Sequence, residues 1–85
     1  MGSLQVVVVA SPQGGGLRTT EVVFDAGKTV WGLSPDGPKH AAKRSYDSLD
    51  DAVVENSRAT TSSWMVTVED QAAAIALLGK TPPST

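Results

Sequence analysis

The stretch Leu4-Gln5-Val6-Val7-Val8-Val9-Ala10-Ser11 decides the architecture of this chain of 85 residues. Its β-branched residues favour a strand, and successive side chains of a strand point to opposite faces. Apolar side chains therefore lie on both faces, which is typical of a central strand. Such a strand must be covered on both sides, either by the rest of the chain or in part by a partner.

Three more strands are predicted directly after this stretch. A glycine-rich loop over 11–16 leads into a strand over 18–25, and this pattern predicts a hairpin with a longer loop. A third strand over 29–33 and a fourth over 39–46 are separated by a turn at 34–38, where proline, aspartate and glycine cluster.

Two helices are predicted in the second half of the chain. Asp47 or Ser48 can cap a helix over 49–58, because each offers a side-chain oxygen to free backbone N–H groups. Residues at helical spacing form its inward stripe: Leu49, Ala52, Val53 and Asn56. A short strand over 64–68 and a second helix, ended by Gly79, complete the pattern.

The expected fold is a small α+β domain over residues 1–80. Its order is β-β-β-β-α-β-α, with an antiparallel sheet and both helices packed on one face. Residues 81–85 are expected to form a disordered tail. A chain of this length buries only about 60% of its unfolded surface, so its core is limited.

Composition narrows the function classes. Apolar runs such as Val6 to Ala10 and Ala72 to Leu78 are far shorter than the ~20 residues that span a membrane, so no membrane association is expected. Without cysteine the chain has neither disulfides nor thiolate metal ligands, which suits a reducing compartment and predicts a cytoplasmic protein.

Residues with catalytic or ligand-binding chemistry form no recognisable set. His40 is the single histidine, and it cannot hold a metal alone. The triplets Gly27-Lys28-Thr29 and Gly79-Lys80-Thr81 lack the earlier glycine of a phosphate-binding loop. Helix capping accounts for the clustered carboxylates of Asp47, Asp50 and Asp51. The sequence therefore predicts no enzyme, no metal site and no cofactor.

The basic stretch 39–46 is the candidate binding site. Residues 1–46 hold five bases and three acids, whereas residues 47–85 hold two bases and six acids. The stretch can dock on an acidic protein surface. It can also follow a phosphate backbone, with Tyr46 stacking on a base. A third interpretation is an edge strand whose charges prevent pairing with other chains. The candidate partner-binding residues are Lys39, His40, Lys43, Arg44 and Tyr46.

Residues 30–59 resemble the N-terminal domain of HicB-type antitoxins. The resemblance rests on Trp31 in a strand, Pro35-Asp36 in the following turn, and the helix start Asp47-Ser48-Leu49-Asp50-Asp51-Ala52, with Asn56 in the helix. The family's Pro-Asp-x-Pro-Gly turn is not reproduced, a hairpin precedes the matching part, and no DNA-binding segment follows. The resemblance implies a non-enzymatic protein that binds and blocks a small partner protein.

Two functional hypotheses follow from these observations. The first is a small binding protein that docks on a partner protein of unknown identity and inhibits or regulates it, with a homodimer as a further possibility. The alternative is a nucleic-acid-binding protein that uses the basic stretch 39–46, whose affinity would fall steeply with salt.

Overall fold

The computed structural model of the chain describes residues 2–25, 29–34, 37–42 and 44–84. The turn residues 26–28 and 35–36, and the candidate site residue Lys43, lie outside the described residues. The elements follow one another in the predicted order: β1 (Leu4–Gln13), β2 (Gly16–Phe24), β3 (Thr29–Ser34), β4 (Gly37–Ala42), α1 (Leu49–Asn56), β5 (Ser62–Val68) and α2 (Gln71–Ile75).

The five strands form one antiparallel sheet in the order β4-β3-β2-β1-β5. β1 lies between β2 and β5, as its two apolar faces predict. The β1–β2 hairpin is closed by only two residues, Gly14 and Gly15, with φ angles of 60° and 86°. Two consecutive positive φ angles are what a type I′ turn requires, and glycine adopts them without steric cost. The connection is therefore tighter than the predicted longer loop.

The two helices lie on opposite faces of the sheet. Val6 and Val8 contribute to a core that includes Ala74 of α2, together with Val22, Phe24 and Leu78. Val7 and Val9 contribute to a second core that includes Ala52 of α1, together with Val23, Val30 and Tyr46. The α+β class and the antiparallel sheet are confirmed, but the expectation of both helices on one face is corrected. Because β1 is apolar on each face, each face needs its own cover.

α1 begins where the sequence predicts and ends two residues earlier. Ser48 is its N-cap, and its hydroxyl accepts a hydrogen bond from the Asp51 N–H at 3.1 Å. The inward stripe is confirmed at Ala52 and Asn56, which are both buried. No described helix combines the length and the apolar character needed to cross a membrane.

The segment after α2 is hydrogen-bonded to the sheet. The Gly79 N–H donates to the Thr19 carbonyl, and the Thr19 N–H donates to the Lys80 carbonyl, both at 2.8 Å. The described part of the tail, 81–84, also contacts the sheet, because the Trp64 indole N–H donates to the Pro83 carbonyl at 2.9 Å. The disorder that the sequence predicts over 81–85 stays a prediction.

Candidate functional site

β4 forms one edge of the sheet, and its middle and end are exposed. It pairs with β3 in the register Leu33↔His40, Gly32↔Ala41 and Trp31↔Ala42. All four residues from Lys39 to Ala42 are exposed. Since side chains alternate along a strand, His40 points to the α2 face of the sheet and Lys39 to the α1 face. Two of the predicted site residues therefore lie on an open strand edge.

The basic stretch 39–46 does not form one continuous strand. β4 ends at Ala42, and residues 44–46 have no strand conformation. This corrects the predicted fourth strand over 39–46. The chain leaves the sheet edge here because Tyr46 turns inward and packs in the core on the α1 face, close to Ala52 and Val23.

Tyr46 is a core residue, only 7% exposed. Its hydroxyl donates to Oε2 of Glu21 at 3.4 Å and accepts from Nδ2 of Asn56 at 2.9 Å. A ring held in this way offers no free face on which a base could stack. Tyr46 therefore does not belong to the exposed candidate surface. Its ring supports the side chain of Arg44, which does.

Arg44 contacts the buried Tyr46 and extends to the solvent-exposed surface. Its guanidinium carbon lies 4.7 Å from the centroid of the Tyr46 ring. Its NH2 group donates to Oδ1 of Asn56 at 3.3 Å and lies 3.7 Å from Oε1 of Glu21. The side chain nevertheless remains 48% exposed. We call Glu21, Arg44, Tyr46 and Asn56 the Glu21 cluster.

The Glu21 cluster orients a cation at the surface. The side chain of Glu21 is only 10% exposed, and such a buried carboxylate requires hydrogen-bonding or charged partners. Glu21 and Asn56 bind the guanidinium on one side and the Tyr46 ring lies against it, while about half of the Arg44 side chain stays exposed. A positioned arginine loses less conformational entropy on binding than a free one.

Burial raises the pKa of Tyr46 above its ordinary value of 10.0, with the Asn56 hydrogen bond opposing this rise and the nearby Glu21 carboxylate adding to it. A raised folded-state pKa contributes stability below pH 10 that is lost as the pH rises beyond it, because the unfolded chain releases the proton first. We expect the free energy of unfolding to fall more steeply above pH 10 in the wild type than in Tyr46→Phe. Urea unfolding at a series of alkaline pH values measures this.

Absorbance provides an independent check on the same group. Tyr46 is the single tyrosine of the chain, so tyrosinate absorbance reports its ionisation directly. The absorbance change of the folded protein should have its midpoint above that of the urea-unfolded protein. Equal midpoints would contradict the burial of the hydroxyl.

Sequence reasoning placed two members of the Glu21 cluster at the site, Arg44 and Tyr46. The sequence pattern did not identify Glu21, although Glu21 lies on the same face as Val23 in a strand whose C-terminal half is buried. A carboxylate on the same strand face as core residues indicates a buried polar site, because a buried carboxylate needs a partner inside the fold. Asn56 was placed on the inward face of α1, but no local pattern could identify Tyr46 as its partner.

Metal binding has no support among the side chains of the described residues. Within 2–25, 29–34, 37–42 and 44–84, no three histidine, aspartate or glutamate side chains gather closely enough to hold a metal ion. The absence of a cofactor and of catalysis stays a prediction from the sequence.

Comparison with known proteins identifies no relative of this chain. No family model, no curated protein and no solved structure matches it. The resemblance of residues 30–59 to HicB-type antitoxins therefore stays a prediction.

Proposed function

We propose that this protein is a non-enzymatic binding protein that docks on a partner protein and inhibits or regulates it. The binding site is the β4 surface, which we define as Lys39, His40, Ala41, Ala42 and Arg44. The observation that carries this proposal is an exposed edge strand beside an arginine that the Glu21 cluster holds in place while leaving it 48% exposed.

The chemistry of the β4 surface indicates an acidic, extended partner segment. An edge strand presents unpaired backbone N–H and C=O groups, to which an extended segment can add as a further strand. Lys39 and His40 point to opposite faces of the sheet, so they would flank such a strand on both sides. Lys39, together with the Arg44 guanidinium beside Glu21 on the α1 face, favours a partner that carries carboxylates.

The β4 surface suits nucleic acid less well. Binding to single strands relies on aromatic rings on which bases stack, and Tyr46 is buried. The Arg44 guanidinium is already close to the Glu21 carboxylate, which offsets part of its charge. Tight phosphate binding draws on many cations. Nucleic-acid binding therefore remains the alternative, to be separated by nuclease treatment.

Two sequence features support the same proposal. The resemblance of residues 30–59 to HicB-type antitoxins implies a protein that blocks a protein partner, and this part of the chain contains β4 and α1. The cysteine-free composition suits a reducing compartment, so the proposed place of action is the cytoplasm.

Lys39→Glu should weaken capture of the partner from a lysate of the source cells by roughly tenfold or more, since it puts a like charge against an acidic surface. Lys39 is exposed, so this change should leave the fold intact. The measurement is capture by the tagged protein, with and without nuclease, and quantification of the bound protein.

Lys80→Glu is the matched control, because it makes the same charge change at an exposed residue outside β4. It should retain wild-type capture. Equal losses in both variants would show that net charge matters and β4 does not. Loss of all capture on nuclease treatment would favour the nucleic-acid alternative instead.

A further inference from the structure

We propose that β5 is a second interface, at which two copies of this chain pair edge to edge. The two β5 strands would run antiparallel about a two-fold axis at Met65, the middle residue of Ser62–Val68. The two five-stranded sheets would then form one continuous sheet. This surface lies at the opposite edge from β4, so the inference does not depend on the proposed function.

The two sheet edges differ in how they are protected against pairing. β4 contains Pro38, which has no backbone N–H, and the exposed Lys39. Lys39 opposes pairing with a second copy of β4, because like charges would meet, whereas it attracts an acidic segment to the same edge. β5 reads Ser-Ser-Trp-Met-Val-Thr-Val and contains no charged residue, proline or glycine. Among the described strands it has a neighbour, β1, on one side only. It therefore lacks the usual edge protection.

A cavity of about 410 Å³ lies between β5 and the tail. Its lining residues are Gln5 of β1, Met65, Val66 and Thr67 of β5, and Pro83 and Ser84 of the tail. Met65 and Thr67 point to one face of the sheet and Val66 to the other. The space between the tail and the middle of β5 is therefore not filled by this chain.

The side chains of a second copy of β5 would pair favourably with those of the first. Pairing about Met65 places each Met65 opposite the other and each Trp64 opposite Val66 of the second copy. Aromatic residues paired with β-branched residues stabilise antiparallel strands. Since the strand is uncharged, no like charges oppose one another within it.

Charged residues at the two ends of β5 complement each other in this arrangement. Arg58 forms an antiparallel bridge with Thr61 and therefore lies at the beginning of β5, whereas Glu69 directly follows its end. Antiparallel pairing brings the beginning of one strand beside the end of the other. Each Arg58 would then lie near Glu69 of the second copy, at both ends of the interface. This complementarity favours a second copy over an acidic or basic partner.

The wild-type protein should show a concentration-dependent equilibrium between the 8.8 kDa chain and a species of twice that mass. Sedimentation equilibrium of the full chain over a concentration series measures it. Thr67→Lys should raise the dimer dissociation constant by about tenfold or more, because it adds the charge that edge strands use against pairing. Thr67 is exposed, so the monomer tolerates the change. Gln13→Lys at the exposed hairpin end is the control and should dimerise normally.

A charge exchange tests the register independently of strand stability. Arg58→Glu and Glu69→Lys should each weaken the dimer several-fold, and the double variant should recover most of the wild-type affinity. A wild-type chain that stays monomeric at every concentration would overturn the proposal. A dimer that is insensitive both to Thr67→Lys and to the charge exchange would overturn it equally, because it would have to use another surface.

Discussion

Phe24→Ala is expected to lower the free energy of unfolding by about 3–5 kcal/mol, which is typical of removing a buried aromatic ring. Phe24 is the single phenylalanine of the chain and only 1% exposed. It packs on the α2 face with Val6, Val8 and Leu78. Since small domains are stable by only about 5–15 kcal/mol, a loss of this size leaves much of the chain unfolded at moderate urea concentrations.

Urea unfolding followed by tryptophan fluorescence measures this loss. The control is Val54→Ala, since Val54 is a large apolar residue that is 73% exposed on α1. Its effect should stay within about 0.5 kcal/mol. If Phe24→Ala cost no more than this control, the core on the α2 face would not be packed as described.

Asn56→Leu is expected to cost about 2–3 kcal/mol, although it replaces a polar side chain by an apolar one in a buried position. The Asn56 amide donates to the Tyr46 hydroxyl at 2.9 Å and to the Ala52 carbonyl at 2.8 Å, and its oxygen accepts from Arg44. Leucine provides none of these bonds. The hydroxyl and the guanidinium then lose one partner each, next to a buried carboxylate.

A double-mutant cycle with Tyr46→Phe isolates the interaction within the Glu21 cluster. Once the Tyr46 hydroxyl has been removed, Asn56→Leu should cost less than it does in the wild type, since one lost bond is common to both changes. Urea unfolding of the four proteins gives the coupling. Additive effects, to within about 0.5 kcal/mol, would contradict the described hydrogen bond between these side chains.

Local patterns account for the elements that sequence reasoning predicted correctly. The strands follow from β-branched runs, and the beginning of α1 follows from Ser48 and the acidic first turn. The β1–β2 connection is shorter than the sequence predicts, although the predicted loop already contains Gly14 and Gly15. Glycine permits several turns, and only the register of the two paired strands selects the two-residue turn.

Local sequence patterns predict only part of the candidate site. Lys39 and His40 lie on an exposed edge strand, and alternation along the strand sets the faces to which they point. Tyr46, in contrast, reads as the last residue of a basic strand, and nothing within a few residues shows that it turns inward. Its burial depends on Glu21 and Asn56, which lie 25 and 10 residues away along the chain.

The sequence by itself determined that β1 is covered on both faces, because the side-chain alternation of a strand is a local property of eight consecutive residues. Only the tertiary structure decided which helix covers which face, that β4 and β5 form the edges, and that Arg44 is held by a buried carboxylate. The physical reason is the range of the interactions. Turns, caps and periodicity act over a few residues, whereas strand order and core packing arise from contacts between distant parts of the chain.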